Sequence, residues 1–225
     1  MLPEGGAQSP ESFQALLKEH APSFGLDLPR AALEPLARFL SELDQARRRT
    51  NLTGPLAAEE LVEHALESAL GERLIPQGAR VIDIGSGAGF PGVPLAIVRP
   101  DIAVTPVEPR RKRIEFLEAV SRALGVSNLS SPRKSLSDLP DESADAATAR
   151  AVGGIERLLG NPRFLCPGGL FLAWTTDVGS LGRLLSPLFR LDGELPVPGS
   201  RRKRIARFRR EEVPRGTQPK ARDRG

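Results

Sequence analysis

The sequence predicts an α/β protein in which a doubly wound parallel sheet follows an N-terminal helical extension. Three observations lead to this fold class. Residues 1–76 show the apolar spacing of amphipathic helices. From residue 77 onward, short apolar runs typical of buried strands alternate with helical patterns, which is how parallel sheets with helices on both faces are built. A dense run of glycines follows the first predicted strand, where sheets of this class bind their ligands.

The extension, residues 1–76, contains three predicted helices, over 11–21, 31–48 and 57–71. In the second, apolar residues recur at the i, i+3, i+4 and i+7 spacing of one helix face. Residues 77–210 then form the predicted ligand-binding domain. Its strands are expected at 79–85, 102–108, 144–150, 168–176 and 204–210, with a weaker one at 128–134. Its helices are expected after Pro94 and over 110–126, 155–165 and 178–188.

Composition excludes several classes of protein. The single cysteine, Cys166, allows no disulfide within the chain, which favours a reducing compartment. No basic stretch followed by an apolar run opens the sequence, and no apolar segment reaches the ~18 residues of a membrane span. We therefore expect a cytoplasmic protein without a membrane partner. No pattern of metal ligands is present.

Positive charge is concentrated at one end of the chain. Residues 199–225 contain eleven Arg or Lys against three Asp or Glu, whereas the whole chain has a net charge of only +4. A basic end on a mildly acidic remainder predicts a polyanionic partner such as nucleic acid. A solvated, disordered basic tail over 211–225 is the alternative.

The glycine run lies in "VIDIGSGAGFPG", residues 81–92. Two ligand classes compete for such a turn. Residues 87–92 match the dinucleotide fingerprint GxGxxG, but the strand ends at Ile84, so the turn starts at Gly85 and the later glycines are out of phase. Pro91 also removes an amide that a phosphate would use. An NAD-dependent oxidoreductase stays open as an alternative.

S-adenosylmethionine fits the acidic residues around this turn better. Asp83 precedes the glycines and suits a cationic ligand rather than a phosphate. Glu108 ends the next strand, where a carboxylate can accept hydrogen bonds from both ribose hydroxyls. An acidic residue, a glycine turn containing Gly85, Gly87 and Gly89, and a second acidic strand end are the arrangement that a class I methyltransferase needs.

Longer motifs sharpen this interpretation. "NLTGP", "EHALES", "VIDIGSGAGFPGVPLAIVRPD", "KRIEFLEAV" and "ARAV" occur in this order. Over residues 35–175 the chain resembles the bacterial 16S rRNA guanine-N7 methyltransferases of the RsmG or GidB type. The resemblance implies a Rossmann-like class I methyltransferase with a helical extension, S-adenosylmethionine as cofactor, and 16S rRNA or the 30S subunit as partner. We expect a monomer.

The resemblance also assigns residues. Gly85 and Phe90 match cofactor contacts, Glu108 takes the ribose position, and Leu136 and Ser137 match the pair beside the adenine. Arg150 matches the arginine that ends the fourth strand, as a cofactor contact and the catalytic candidate, holding either the cofactor carboxylate or the guanine. Asn51 and His64 match motif positions expected near the RNA.

Two departures from the family concern the substrate side. The family usually has a lysine after the fifth strand, where this chain has Thr175 and Thr176, and its last strand lacks the usual histidine. A methyltransferase with another substrate, or a ribosome-binding protein without catalysis, therefore stays open. Three basic runs are further candidates for RNA contact: Arg47, Arg48, Arg49, Arg110, Arg111, Arg113, Arg201, Arg202, Lys203 and Arg204.

Overall fold

The structure, a computed structural model, describes residues 7–50 and 52–212. The extension folds as α1 (Pro10–His20), α2 (Arg30–Arg49) and α3 (Ala58–Ala69), so all three predicted helices are confirmed. The hydroxyl of Ser9 caps α1 by accepting a hydrogen bond from the backbone N–H of Ser12. Each helix buries one apolar face, as the sequence spacing requires.

A six-stranded sheet forms the centre of the molecule, in the order β2-β1-β3-β4-β6-β5. Strands β1 to β4 are parallel, and β6 runs antiparallel to both β4 and β5. The strands are β1 (Arg80–Ile84), β2 (Ala103–Val107), β3 (Ala144–Arg150), β4 (Leu165–Thr175), β5 (Phe189–Pro196) and β6 (Arg204–Arg210). The carboxyl ends of β1 to β4 therefore lie at one edge of the sheet, called here the carboxyl edge.

Helices cover both faces of this sheet, which confirms the predicted doubly wound fold. They are α4 (Gly92–Val98), α5 (Arg111–Leu124), α6 (Ile155–Leu158) and α7 (Val178–Leu185). One apolar core lies between one face of the sheet and the five helices α1, α2, α3, α4 and α5. It contains residues such as Leu36 of α2 and Leu172 of β4. A second core lies under α6 and α7. The division of the chain at residue 76 stays a prediction, and the two parts share the first core.

Several elements differ from their predictions. Strand β5 was not predicted, and only Leu129 and Arg133 of the expected strand 128–134 pair with β2, as isolated bridges. Helix α6 is one turn, because Gly160 and Pro162 interrupt the expected longer helix. Most of the predicted basic tail lies outside the described residues. In the described part of the chain, no helix has both the length and the apolar character to cross a membrane.

Candidate active site at the carboxyl edge

The glycine loop, residues 85–92, connects β1 to α4 at the carboxyl edge. Gly85, Gly87 and Gly89 have φ angles of 67°, 56° and 99°, a region that side-chain-bearing residues rarely adopt. A Cβ on Gly85 would also lie 2.8 Å from Cγ2 of Val152. The loop leans towards β2, because the N–H of Gly85 donates to the carbonyl of Val107 at 2.8 Å. The glycines are therefore required by the backbone path itself.

The carboxylate of Asp83 is hydrogen-bonded to the last residue of this loop, Gly92. Its carboxylate is completely buried, and it accepts hydrogen bonds from the Thr148 hydroxyl at 2.9 Å and from the N–H of Gly92 at 3.1 Å. Burial raises the pKa of Asp83 to about 6. The predicted direct contact with a cationic cofactor is therefore corrected: Asp83 faces the start of α4, where a helix N-terminus favours an acidic group.

Glu108 follows β2 and lies beside the glycine loop. One carboxylate oxygen accepts from the N–H of Gly87 at 3.0 Å, and the other accepts from the N–H of Arg110 at 2.9 Å. The guanidinium of Arg113 lies 3.5 Å from the carboxylate, and it also lies 3.5 Å from the carbonyl oxygen of Leu52. Arg113, predicted as an RNA contact, is thus the ion-pair partner of the predicted ribose ligand.

The predicted adenine pair, Leu136 and Ser137, comes three residues after Arg133, whose carbonyl accepts a hydrogen bond from the N–H of Glu108 at 2.9 Å. Leu136 and Ser137 form a 3-10 turn, Leu136–Asp138, which follows the segment that bridges to β2. Leu136 is half-buried against the second core, and Ser137 is exposed, with its hydroxyl 2.8 Å from that of Ser135. The contact of Leu136 and Ser137 with the cofactor stays a prediction.

Phe90 connects the glycine loop to the helical extension. Its ring packs edge-on against Phe39 of α2 and His64 of α3, with centroid distances of 5.3 Å and 5.9 Å. Helix α3 therefore crosses the carboxyl edge next to the loop. The resemblance makes Phe90 a cofactor contact, and its half-buried ring is at the border of the loop.

Arg150, at the end of β3, points to α3. Its guanidinium lies 2.7 Å from Nδ1 of His64 and donates to Oε2 of Glu67, also at 2.7 Å. Because a guanidinium only donates hydrogen bonds, Nδ1 of His64 must be the acceptor, which requires a neutral imidazole. Consistently, burial, followed by the charge of Arg150, lowers the pKa of His64 to about 4. His64 thus orients Arg150, and its predicted RNA contact stays a prediction.

Glu67 was not predicted, yet it is the centre of this cluster. It is 4% exposed, and its second oxygen, Oε1, lies 2.5 Å from Nζ of Lys203. The indole N–H of Trp174 donates to the Glu67 carbonyl at 2.8 Å. A buried carboxylate that holds two cations keeps both of them at fixed positions.

A pocket of about 330 Å³ opens beside this cluster. It is called here the edge pocket, and its walls come from α3, the ends of β3 and β4, and the segment before β6. Lys203, predicted as an RNA contact, and Thr175 and Thr176, which replace the family lysine, all lie on its wall. Its main side chains are Glu67, Arg150, Trp174, Thr175, Lys203 and Arg204.

The three basic runs meet at the same edge of the sheet. The run at the start of α5 follows Glu108, and the run before β6 lies beside Thr175. Arg113 of the first of these runs approaches the carbonyl of Leu52, shortly after the end of α2. Arg49, Arg110, Arg201 and Arg202 are exposed there, and Arg111 pairs with Glu115 at the surface. The structure therefore gathers most of the predicted RNA contacts around the glycine loop and the edge pocket.

Two members of these runs need separate comment. Arg47 departs from the prediction, because its side chain is 2% exposed and paired with Asp44, out of reach of an RNA phosphate. Arg48 is half-buried and also paired with Asp44. Asn51 lies outside the described residues.

The residues at the carboxyl edge fit S-adenosylmethionine. Glu108, at the end of β2, is 2% exposed, and each of its carboxylate oxygens accepts one backbone hydrogen bond, which leaves further lone pairs for the ribose hydroxyls. Gly85 and Gly87 carry no side chain to obstruct a ligand. Leu136 adds an apolar surface. A phosphate-bearing dinucleotide fits less well, because a buried acid, Asp83, already occupies the start of α4.

Comparison with known proteins identifies the family. Residues 32–177, more than half of the chain, match the family described as rRNA small subunit methyltransferase G, GidB. The chain belongs to this family. The relatives of this name from Halorhodospira halophila and Wolinella succinogenes are 37% and 36% identical over 150 and 143 residues. These alignments span 66% and 64% of this chain, and 71% and 74% of those proteins.

Solved structures support the fold independently. A SAM dependent methyltransferase from Aquifex aeolicus superposes with a TM-score of 0.52 at 18% identity, over 64% of this chain and 87% of that chain. The predicted resemblance, the class I methyltransferase fold and the cofactor S-adenosylmethionine are thus confirmed for this member of the GidB family. The family match ends at residue 177, so the segment from 178 onward, including β5 and β6, lies beyond it.

Proposed function

We propose that this GidB-family chain transfers a methyl group from S-adenosylmethionine to N7 of a guanine in 16S ribosomal RNA. The observation that carries the proposal is the assembly at one sheet edge of the glycine loop, Glu108 and Arg150, surrounded by exposed arginines. Family membership supports the reaction, and the surrounding positive charge supports a phosphate-rich substrate. As part of this proposal, the enzyme acts as a monomer in the cytoplasm on naked rRNA or on the 30S subunit.

In this proposal, methyl transfer to guanine N7 requires no proton transfer by a protein side chain. Bound S-adenosylmethionine supplies a methyl group on a sulfonium, and guanine N7 carries a free lone pair, so an in-line displacement needs no general base. The residues of the carboxyl edge then act by alignment, which can contribute several kcal/mol to lowering a barrier. In this proposal Glu108 holds the ribose hydroxyls, the glycine loop admits the cofactor, and Arg150 orients the cofactor carboxylate or the guanine.

The deciding experiment measures transfer of a labelled methyl group to naked 16S rRNA, 30S subunits and bulk tRNA. Chemical cleavage at N7-methylguanine then maps the product. Label at one guanine of 16S rRNA, in naked or assembled form, supports the proposal. Label in tRNA alone, or at an atom other than N7, contradicts it.

The arginines are tested by salt dependence of binding to the same RNA. If Arg201 and Arg202 contact phosphates, replacing either by Ala lowers the slope of log affinity against log salt by about 1. Arg163→Ala is the matched control, because Arg163 pairs with Asp141 at the opposite edge of the sheet. Equal slopes for the wild type and both edge variants would remove these residues from the RNA surface.

A further inference from the structure

The edge pocket has a composition that the cofactor does not explain. Its wall presents three cationic side chains, Arg150, Lys203 and Arg204, and one buried carboxylate, Glu67. Glu194, outside the wall, lies 3.9 Å from Arg204 and is itself 47% exposed. Trp174 adds an aromatic ring, and two threonines add hydroxyls. The single carboxylate of S-adenosylmethionine can match Arg150, but the cofactor has no phosphate to match Lys203 and Arg204. Cations beside an aromatic ring are instead the combination that binds one unstacked nucleotide.

Part of this pocket comes from the segment beyond the family match. Lys203 and Arg204 lie past residue 177, at the start of β6, and reach the edge because β6 runs antiparallel to β4. Register places Arg204 opposite Thr175. Lys203 and Arg204 therefore share the pocket wall with Thr175 and Thr176.

Lys203 is held so that its ammonium can also bind a ligand. Its Nζ lies 2.5 Å from Oε1 of Glu67, while its side chain stays 44% exposed at the pocket wall. An ammonium has three donors, and this contact uses one of them. The same Glu67 fixes Arg150 through its other oxygen, so the two cations share one buried anchor.

The volume of the pocket limits what can enter. About 330 Å³ lies at the lower end of the range for small-ligand sites, about 300–1,000 Å³. One nucleotide is of this size, whereas a base pair within a duplex is too large. A base that enters must therefore have left its stack, as in other enzymes that modify bases.

We propose that the edge pocket receives the target nucleotide in an unpaired state, with Lys203 and Arg204 on its phosphate and Trp174 beside its base. The inference rests on the proposed function, since it identifies where that substrate sits. It makes the segment before β6 part of the substrate site. Glu67 contributes indirectly, by holding Lys203 and Arg150 in place.

The chain carries its own probe for this pocket. Trp174 is the only tryptophan, and the sequence has no tyrosine, so intrinsic fluorescence reports on this one wall. The full chain is titrated with guanosine 5′-monophosphate and, separately, with guanosine. Excitation at the red edge of tryptophan absorption avoids absorption by guanine. We expect saturable quenching by the monophosphate in the millimolar range and weaker binding of guanosine.

Variants of Lys203 decide whether the pocket binds as proposed. Lys203→Ala should weaken binding of the monophosphate about tenfold and leave guanosine unchanged, because only the phosphate contact is lost. Lys203→Arg should restore binding of the monophosphate. Lys18→Ala, an exposed lysine on α1, is the matched control and should titrate as the wild type.

Either of two results would overturn the inference. One is no change of Trp174 fluorescence at the highest soluble concentration of the monophosphate. The other is a Lys203→Ala variant that binds the monophosphate with wild-type affinity. Methyl transfer to 16S rRNA tests the proposed function independently of the pocket. If the wild type methylates 16S rRNA but its Trp174 fluorescence does not change with the monophosphate, the proposed function is supported and the proposed role of the pocket is contradicted. If the monophosphate binds but no methyl group is transferred to rRNA, the pocket is supported as a nucleotide site and the proposed function is contradicted.

Discussion

The two halves of the carboxyl edge are built in different ways. The cofactor half uses residues close together in sequence, from Asp83 to Gly92 and then Glu108, joined mainly by hydrogen bonds to backbone N–H groups. The substrate half brings together His64, Glu67 and Arg150 with Lys203, which come from three distant parts of the chain. A ligand site fixed by local backbone shape leaves a motif in the sequence, whereas one fixed by side-chain charges across the fold does not.

The largest expected effect breaks the substrate half. Glu67→Gln removes the charge that Arg150 and Lys203 share, and leaves two cations without their buried partner. We expect a loss of about 3 kcal/mol in the free energy of unfolding, because removing one partner of a buried ion pair is costly. Denaturant unfolding measures it, with Glu63→Gln, an exposed position on α3, as control. Equal midpoints for both variants would show that Glu67 is not the anchor.

The next largest effect is a loss of affinity for the cofactor, with a smaller loss of stability than in Glu67→Gln. Glu108→Ala removes the acceptor for the ribose hydroxyls, each hydrogen bond contributing about 1 kcal/mol. The affinity for S-adenosylmethionine should therefore fall about 30-fold, roughly 2 kcal/mol. Isothermal titration calorimetry provides the measurement, and Glu118→Ala on α5 is the control. Unchanged affinity would place the ribose elsewhere.

An effect of similar size, on stability rather than on affinity, tests the close approach of the backbone to Asp83. A Cβ on Gly92 would lie 2.5 Å from Oδ2 of Asp83, in a fully buried place. Gly92→Ala should cost about 2 kcal/mol of stability through overpacking, and should weaken cofactor binding by displacing the loop. Gly54 has open space around its Cβ position, so Gly54→Ala is the matched control in thermal unfolding. Two equal melting temperatures would contradict the close approach.

The smallest effect concerns His64 and appears as a dependence on pH. Its pKa is lowered from 6.5 to about 4 in the folded state, so the unfolded chain binds more protons between these values. The stabilisation is full above pH 6.5 and is lost as pH falls through about 4. With its side chain 30% exposed, we expect about 1 kcal/mol.

The stability difference between the wild type and His64→Asn isolates this contribution. That difference should shrink as pH falls from about 6.5 to about 4. Asp83, whose pKa is raised to about 6, has the opposite dependence, since its contribution is lost as pH rises from 3.8 through 6. It is present in both proteins and cancels. A difference that does not change over this range would show that His64 titrates normally.

The glycine turn after β1 and most of the fold could be predicted from the sequence for the same physical reason. Helix faces, buried strands and glycines with positive φ are local requirements, and each leaves a local pattern. Strand β5 was missed because it pairs with no strand except β6 among residues 7–50 and 52–212, and because Gly193 and a bulge interrupt its alternation. Such an edge strand has too little burial to show a pattern.

The direction of a side chain was the harder problem. Asp83 was placed correctly at the end of β1, but nothing in its neighbours indicates that Gly92 turns back to take its carboxylate. Glu67 lies in a run of α3 whose other members from Ala65 to Ala69 are buried and uncharged, and this acid within an apolar stretch was the available signal. Its partners at positions 150 and 203 become visible only once the strand order is known.

The direction of β6 has a consequence for how the protein can lie on a large particle. Strand β6 begins beside Thr175 and ends at Arg210, opposite Phe189 at the far edge of the sheet. Seven residues of strand span about 20 Å. Arg209 and Arg210, which donate to the carbonyls of Gly168 and Leu165, thus lie a full sheet height away from the edge pocket. The arginines at the two ends of β6 cannot contact the same phosphate, so an RNA that touches both must extend along the whole strand.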